Sequence, residues 1–460
     1  MAQTDFSLQE LLDELEDRDP DVRKAAAESV GALGPKAREA IPGLIRRVQG
    51  ETDVFARWAA IEALGEIGET AGEAVEVLAP LLADDDFSEP AAEALAAIGP
   101  AAIPKLTEAL CKAEPDTRKA AATGLLAMGE GAKTATPTLT GALADRSEHV
   151  RVRVAEALGN AGRGIAATTA ALAKALQEDE SARVRVRAAA SLGKLGAAAD
   201  ALKAGTKDQH PFVRVTAAAA LARIDEEPSP WVAILAEGTK DKNTSVRLEA
   251  ALALADLGPR AEAAVPDLME ALHEPNPDVL AQIISALGAT GEAAAPAIDT
   301  LRKFLGHPDD AVVSLAAGAL GNIGTTEAAA DLRTALDSPD PNVYFNAAAA
   351  LVKLDSDTAV ALEKILAALG DEDPGIRGGA IMTLGEIGPR AARACGALEE
   401  ALSDEAFNVR EEAVRALGAL GEAALPARPG VQALRYDPDR GVRRAAAETL
   451  KTLNGLSPSG

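Results

Sequence analysis

One block of apolar and polar positions recurs along the whole chain. Its first copy reads Asp19-Pro-Asp-Val-Arg-Lys-Ala-Ala-Ala-Glu-Ser-Val-Gly-Ala-Leu-Gly34. Anchored on the arginine, the block returns at Arg23, Arg57, Ser88, Arg118, Arg151, Arg185, Arg214, Arg247, Leu280, Val313, Tyr344, Arg377, Arg410 and Arg443, fourteen copies spaced 29 to 34 residues apart. At about 100° per residue, the positions one before and three, seven and ten after the anchor share a helix face, which predicts a core stripe of Val22, Ala26, Val30 and Leu33 in copy one. Positions two, five and nine after the anchor fall on the opposite side. Eleven residues after the anchor most copies carry glycine (34, 68, 99, 129, 162, 196, 258, 291, 324, 388, 421), with Asp225, Asp355 and Asn454 standing in. A glycine there predicts a left-handed residue that ends the helix.

A second helical pattern lies between the blocks, as in Ala40-Ile-Pro-Gly-Leu-Ile45 and Ala264-Val-Pro-Asp-Leu-Met-Glu-Ala-Leu272. Its prolines (42, 80, 104, 137, 266, 296, 426) predict a first-turn position or a kink, because proline lacks the N–H that a helix interior needs. Each repeat therefore reads as two antiparallel helices. A pair this thin cannot bury its own apolar side, so the repeats must stack into one all-α solenoid over residues 1–453. An amphipathic opening helix is expected at about 6–17, and the polar, broken end predicts a disordered tail over 454–460.

The recurring Asp-x-x-Val-Arg-x-x-Ala-x-x-Ala-Leu-Gly-x-Ile/Leu-Gly block resembles the short HEAT-like repeat, the type also seen in phycobilisome lyases. The signatures of ankyrin and tetratricopeptide repeats are absent. The resemblance covers roughly residues 6 to 453. It implies a right-handed superhelix of about fourteen helix pairs, with the second helices lining the concave surface. It also implies that the anchor arginines (Arg23, Arg57, Arg118, Arg151, Arg185, Arg214, Arg247, Arg377, Arg410, Arg443) form a structural ladder, each pairing with an acid of the inter-repeat turn such as Asp19 or Asp21.

Composition narrows the function classes. The 46 Lys+Arg against 71 Asp+Glu leave a net charge of −25, which repels nucleic-acid backbones and anionic membranes. Aromatics are 2% of the chain, too few for a cofactor cage. Cys111 and Cys395 match no metal or redox spacing, no apolar run reaches the roughly 18 residues of a membrane span, and the acidic start is no export signal. The expectation is a cytoplasmic chain without cofactor, metal or membrane insertion.

Two stretches of the face opposite the core stand out. Arg153, Arg187, Lys194 and Arg223 share it in repeats five to seven, where residues 146–223 hold 13 Lys/Arg and 7 Asp/Glu. This basic patch suits an acidic peptide, a carboxylate tail or a phosphate; the structural alternative pairs its arginines with Glu156, Glu178 or Asp179. In repeats nine to eleven the ladder arginine is lost at Leu280, Val313 and Tyr344 while Asp278, Asp309, Asp310 and Asp340 remain. The acids are expected to be freed for a basic segment, beside a neutral patch of Gln282, Asn322, Tyr344, Phe345, Asn346 and Met382. Gly378-Gly379 would let a partner approach the backbone.

No catalytic constellation is legible. The four histidines, His149, His210, His273 and His307, each sit at a turn beside an acid or proline. His273-Glu274 is a single His-Glu pair, whereas di-iron hydroxylases built on HEAT-like repeats use four. The sequence therefore predicts a non-catalytic interaction scaffold or adaptor for a protein or peptide partner. A bilin lyase-like or other protein-modifying subunit is the enzymatic alternative, and a nucleic-acid-binding HEAT-like protein is the third.

Overall fold

The computed structural model describes residues 8–112 and 114–455; the expected tail from 456 on and the first residues of the opening helix lie outside them. Among the described residues all regular structure is helical and no strand forms. The chain divides into two compact units, one ending at Glu226 and the other starting at Glu227.

Among the described residues each unit is an α-solenoid of seven helix pairs. In the first unit the second helices are Pro20–Ala32, Val54–Ile67, Ser88–Ile98, Pro115–Ala127, Glu148–Ala161, Ala182–Leu195 and Pro211–Ile224, each packed on the next. In the second unit they are Thr244–Leu257, Pro277–Ala289, Asp310–Ile323, Pro341–Lys353, Pro374–Ile387, Phe407–Leu420 and Arg440–Gly455, again in sequence. The opening helix, Leu8–Glu14, covers repeat one.

Local chemistry starts these helices where the pattern predicts. The Asp19 carboxylate accepts the Asp21 N–H at 3.0 Å, and Asp53 accepts those of Phe55 and Ala56 at 3.0 and 2.9 Å. Such side-chain caps satisfy N–H groups that the first turn leaves unpaired. Pro20 and Pro277 sit in first turns, where no N–H is required.

Gly196 and Gly324 are the left-handed stops the pattern predicts, whereas the glycine after several other second helices takes a different positive-φ conformation. Gly68 has φ 73° and ψ −142°, outside the left-handed helical well and open essentially to glycine alone. A 3₁₀ segment such as Gly34–Ala40 or Gly68–Ala74 then leads into the next first helix. Gly162 is an exception to the expectation: its φ is −89°, and Gly164 takes the positive value, 76°. A Cβ at 162 would stand 2.5 Å from the Leu158 carbonyl, so there the glycine answers crowding. Asp225 also keeps a negative φ and Asn454 lies inside the last helix, whereas Asp355 does adopt φ 52°. The prolines at 42, 104, 137 and 266 occupy the first two positions of first helices; Pro80, Pro296 and Pro426 lie in 3₁₀ segments.

The core is built from small aliphatic residues. In copy two Ala56, Ala60, Leu64 and Ile67 are all buried. In copy one Ala26 and Val30 are buried, Val22 is half-buried, and Leu33 is 38% exposed, against the expected stripe. Among the described residues repeat one has a single neighbouring repeat, so its cover is thinner. Consecutive second helices approach closely through a glycine eight residues after the anchor. A Cβ on Gly65 would lie 2.9 Å from Ala94 Cα, and one on Gly288 would lie 2.8 Å from Ala319 Cα. In both cases the facing alanine stands six residues after the next anchor, so Gly and Ala on adjacent helices let the backbones touch.

Candidate functional site

The anchor arginines, buried at Arg151, Arg185 and Arg377 and half-buried at Arg23, Arg118, Arg247 and Arg410, form a recurring electrostatic feature of the fold. Arg23 donates through Nε and Nη2 to the two carboxylate oxygens of Glu51, both at 2.6 Å, and through Nη1 to the carbonyls of Asp17 and Arg18. The same clamp recurs as Arg118–Asp145, Arg151–Asp179, Arg185–Asp208, Arg247–Glu274, Arg377–Asp404 and Arg410–Asp437. In each case the acid lies six residues before the next anchor. The acid's second task is local: it accepts the N–H two residues on, as Asp145 does from Ser147 at 2.8 Å. One arginine thus ties its own turn to the following one.

This corrects the expected pairing. Asp19 caps the helix, and Arg23 reaches past its own turn to the next repeat's acid, because the side chain leaves the helix along the stack. Arg57, Arg214 and Arg443 depart from the clamp. Arg57 donates to the Val48 carbonyl and lies 4.5 Å from the Phe87 ring centroid, while Arg214 and Arg443 donate to carbonyls of their own turns.

Charge assistance is strong at these clamps. Hydrogen bonding from Arg23, reinforced by the N–H groups of Asp53 and Thr52, lowers the Glu51 carboxyl to about 2 against the burial that opposes it. Arg377 and Arg410 likewise hold Asp404 and Asp437 below the ordinary carboxylate range.

The freed-acid expectation fails at Asp309 and Asp340 by the same geometry, while Asp278 and Asp310 stand exposed in the first turns of their helices. Asp309 and Asp340 cap their helices, accepting from Ala311 at 2.9 Å and Asn342 at 2.8 Å, as Asp19 does beside an intact arginine. What disappears with the arginine is the acid six before the next anchor: Leu280 faces the register of His307, and Val313 that of Ser338. Tyr344 is the exception, since Asp371 stays and raises the phenol, although burial does so more.

The basic patch is partly neutralised within itself. Arg153 and Arg187 both pair with Glu156 at 2.9 Å, and Lys194 donates to Asn160 at 3.4 Å. Arg223 is exposed on the last turn of its helix. Arg153 also edges a cavity of about 320 Å³ with Asp85, Glu89, Asp116 and Lys119, which the sequence reading missed.

The neutral patch divides. Met382 is 52% exposed, Asn322 is exposed and accepts from Lys353 at 2.8 Å, and Gln282 is half-buried. Phe345 belongs to the core instead: it is buried, edge-on to Tyr344, and 3.0 Å from where a Gly379 Cβ would stand. Gly379 therefore makes room for Phe345, not for a partner's backbone. Asn346 is half-buried and donates to Ser314 at 2.8 Å and to the Asn342 carbonyl at 3.0 Å. Lys364 lies over the half-buried Tyr344 ring at 4.9 Å.

Among the described residues no group of His, Cys, Asp or Glu is placed to hold a metal ion, and no helix is long and apolar enough to cross a membrane. The family of HEAT repeats matches seven overlapping stretches: 8–99, 84–159, 103–193, 169–231, 229–317, 298–364 and 362–451. The chain belongs to the HEAT-repeat family. No curated protein matches the sequence. Among solved structures, this HEAT-repeat chain superposes on yeast importin-beta (Kap95p) with TM-score 0.61 at 13% identity, covering 98% of this chain and 74% of that one. The Kap95:Nup1 complex gives 0.62 at 14% identity over the same shares. CpcE and CpcF of phycocyanin lyase from Nostoc sp. PCC7120 give 0.38 at 23% identity, over 56% of this chain and 95% of that one, too loose a superposition to argue from. Likeness at these identities speaks for the solenoid fold alone.

Proposed function

We propose that this HEAT-repeat protein is a non-catalytic scaffold that binds a protein or peptide partner on the outward face of its second helices. The observation that carries the reading is a contrast within the first unit. The buried positions are mostly alanine and branched aliphatic residues, whereas the outward face changes charge. Five residues after successive anchors stand the exposed Glu28, Glu62 and Glu93 in repeats one to three. Repeats five to seven carry Glu156, Ala190 and Ala219 at that position and add Arg153, Arg187, Lys194 and Arg223 two or nine residues after their anchors, where repeats one to three have no cation. A uniform core needs no graded surface, and a face that passes from acidic to basic suits one oriented polypeptide better than a small substrate. The importin-beta structures include a complex of Kap95 with Nup1, so a solenoid of this architecture can carry a protein partner.

The test is affinity capture from the native cell with three baits: the wild type, Arg187→Glu with Arg223→Glu, and Asn322→Ala with Met382→Ala, each checked by thermal melting. The scaffold reading expects proteins held by the wild type and lost from at least one folded variant. Identical capture by all three removes the outward face from consideration.

A further inference from the structure

Where the ladder is interrupted between repeats ten and eleven, the fold leaves a surface cavity of about 450 Å³. Val313 occupies the arginine position and Ser338 the position of its acid. Ser338 keeps the local half of the acid's work, accepting the Asp340 N–H at 3.2 Å, and His307 Nδ1 does the same for Asp309 at 3.1 Å. The turns are intact and the guanidinium is what has gone. In the intact repeats Nη1 of that guanidinium meets the carbonyls six and five residues before the anchor. Here those carbonyls belong to His307 and Pro308, and Val313 offers them no donor.

The lining suits the stem and the charge of the missing group, with Ser338 where the gripping carboxylate stands in the intact repeats. Val313 and Val343 are buried and, with Leu305, form an apolar floor on which a methylene stem can lie. Asp310, Asp331 and Asp337 stand against one cation, Arg302. Arg302 is engaged with Asp331 at 2.6 Å, while Asp310 and Asp337 are exposed and make no ion pair among the described residues. The acids alone would mean little. The second observation is that seven other copies in this chain hold a guanidinium in this register, against the same pair of turns.

We propose that this cavity binds the side chain of an arginine from the partner protein, in the place where other repeats carry their own. The proposal rests on the scaffold reading only in taking a protein as the source of the arginine. With Ser338 in place of the gripping carboxylate, the acceptors left for a guanidinium are the two turn carbonyls and the carboxylates of Asp310 and Asp337, which its several planar donors can meet together and a single ammonium cannot.

The probe is N-acetylarginine amide, titrated into the full chain while the ring resonances of His307, one of four histidines, are followed by NMR. N-acetyllysine amide and the neutral N-acetylcitrulline amide are the controls. The expected result is a saturable His307 shift with the arginine probe, with both controls binding about tenfold more weakly or less. Val313→Arg with Ser338→Asp rebuilds the internal clamp and abolishes the shift. Asp310→Asn with Asp337→Asn leaves the cavity open and weakens binding about tenfold, which keeps the test decisive if the first variant misfolds. The proposal is overturned by equal response to all probes, by no saturable shift in the wild type, or by binding that survives in the folded Val313→Arg variant. Partner capture that depends on the outward face yet ignores both cavity variants would sink this pocket and leave the scaffold reading standing.

Discussion

Replacing Glu51 with glutamine preserves shape while removing the charge that Arg23 grips. The Glu51 side chain is 2% exposed, receives two bonds from Arg23 at 2.6 Å, and receives the N–H groups of Thr52 and Asp53 at 3.0 Å. Its carboxyl falls from 4.5 to about 2 in the folded chain. A lowered carboxylate stabilises the fold fully above its unfolded value, and that contribution is lost as pH falls through the folded value. The difference between 4.5 and about 2 corresponds to about 3 kcal/mol at neutral pH. Glu51→Gln should therefore cost about 3 kcal/mol at neutral pH, progressively less below 4.5, and close to nothing near pH 2. Trp58 lies in the helix that Glu51 precedes, so a Trp231→Phe background gives a local fluorescence reporter. Local reporting matters because repeat arrays need not unfold in one step. Urea titrations of both chains at neutral pH and near pH 3 supply the comparison. A penalty equal at both pH values would refute the charge-based account and leave only shape.

Three further outcomes follow from packing and burial. Gly65→Ala should cost about 1 to 3 kcal/mol in urea titrations because its Cβ meets the Ala94 backbone at 2.9 Å. Gly141→Ala, in a helix with nothing within 4 Å, should gain about 0.5 to 1 kcal/mol by lowering the freedom of the unfolded chain. Iodoacetamide near pH 8 should alkylate the exposed Cys111 well before Cys395, whose thiol is pushed up by burial and by Glu399; peptide mapping over time reads the order.

The repeats were legible because their determinants are local or nearest-neighbour. Caps such as Asp19 and Asp53 act within three residues, the stripe of Ala56, Ala60, Leu64 and Ile67 follows from helix pitch, and a thin helix pair has only its neighbours to pack on. The Arg23–Glu51 clamp spans 28 residues. Nearby Asp19 and Asp21 look equally suitable on paper, and only the direction in which the side chain leaves the helix chooses between them. A signal was present all the same. An acid recurs six residues before most anchors and fails together with the arginine at Val313 and Ser338.

The outward face was legible only as a side of a helical wheel. Periodicity placed Met382, Asn322 and Arg187 on an accessible surface, but it could not say that Phe345 turns inward to fill the space above Gly379. Nor could it say that Arg153 and Arg187 would share Glu156. Those outcomes depend on how close two second helices come, which is set by which small residue meets which glycine on the facing helix. The pattern along the chain thus decides that helices form, where they start and what they stack on. Which charges are consumed, and where a cavity opens when an arginine and its distant acid are both replaced, is decided by contacts between residues some thirty positions apart.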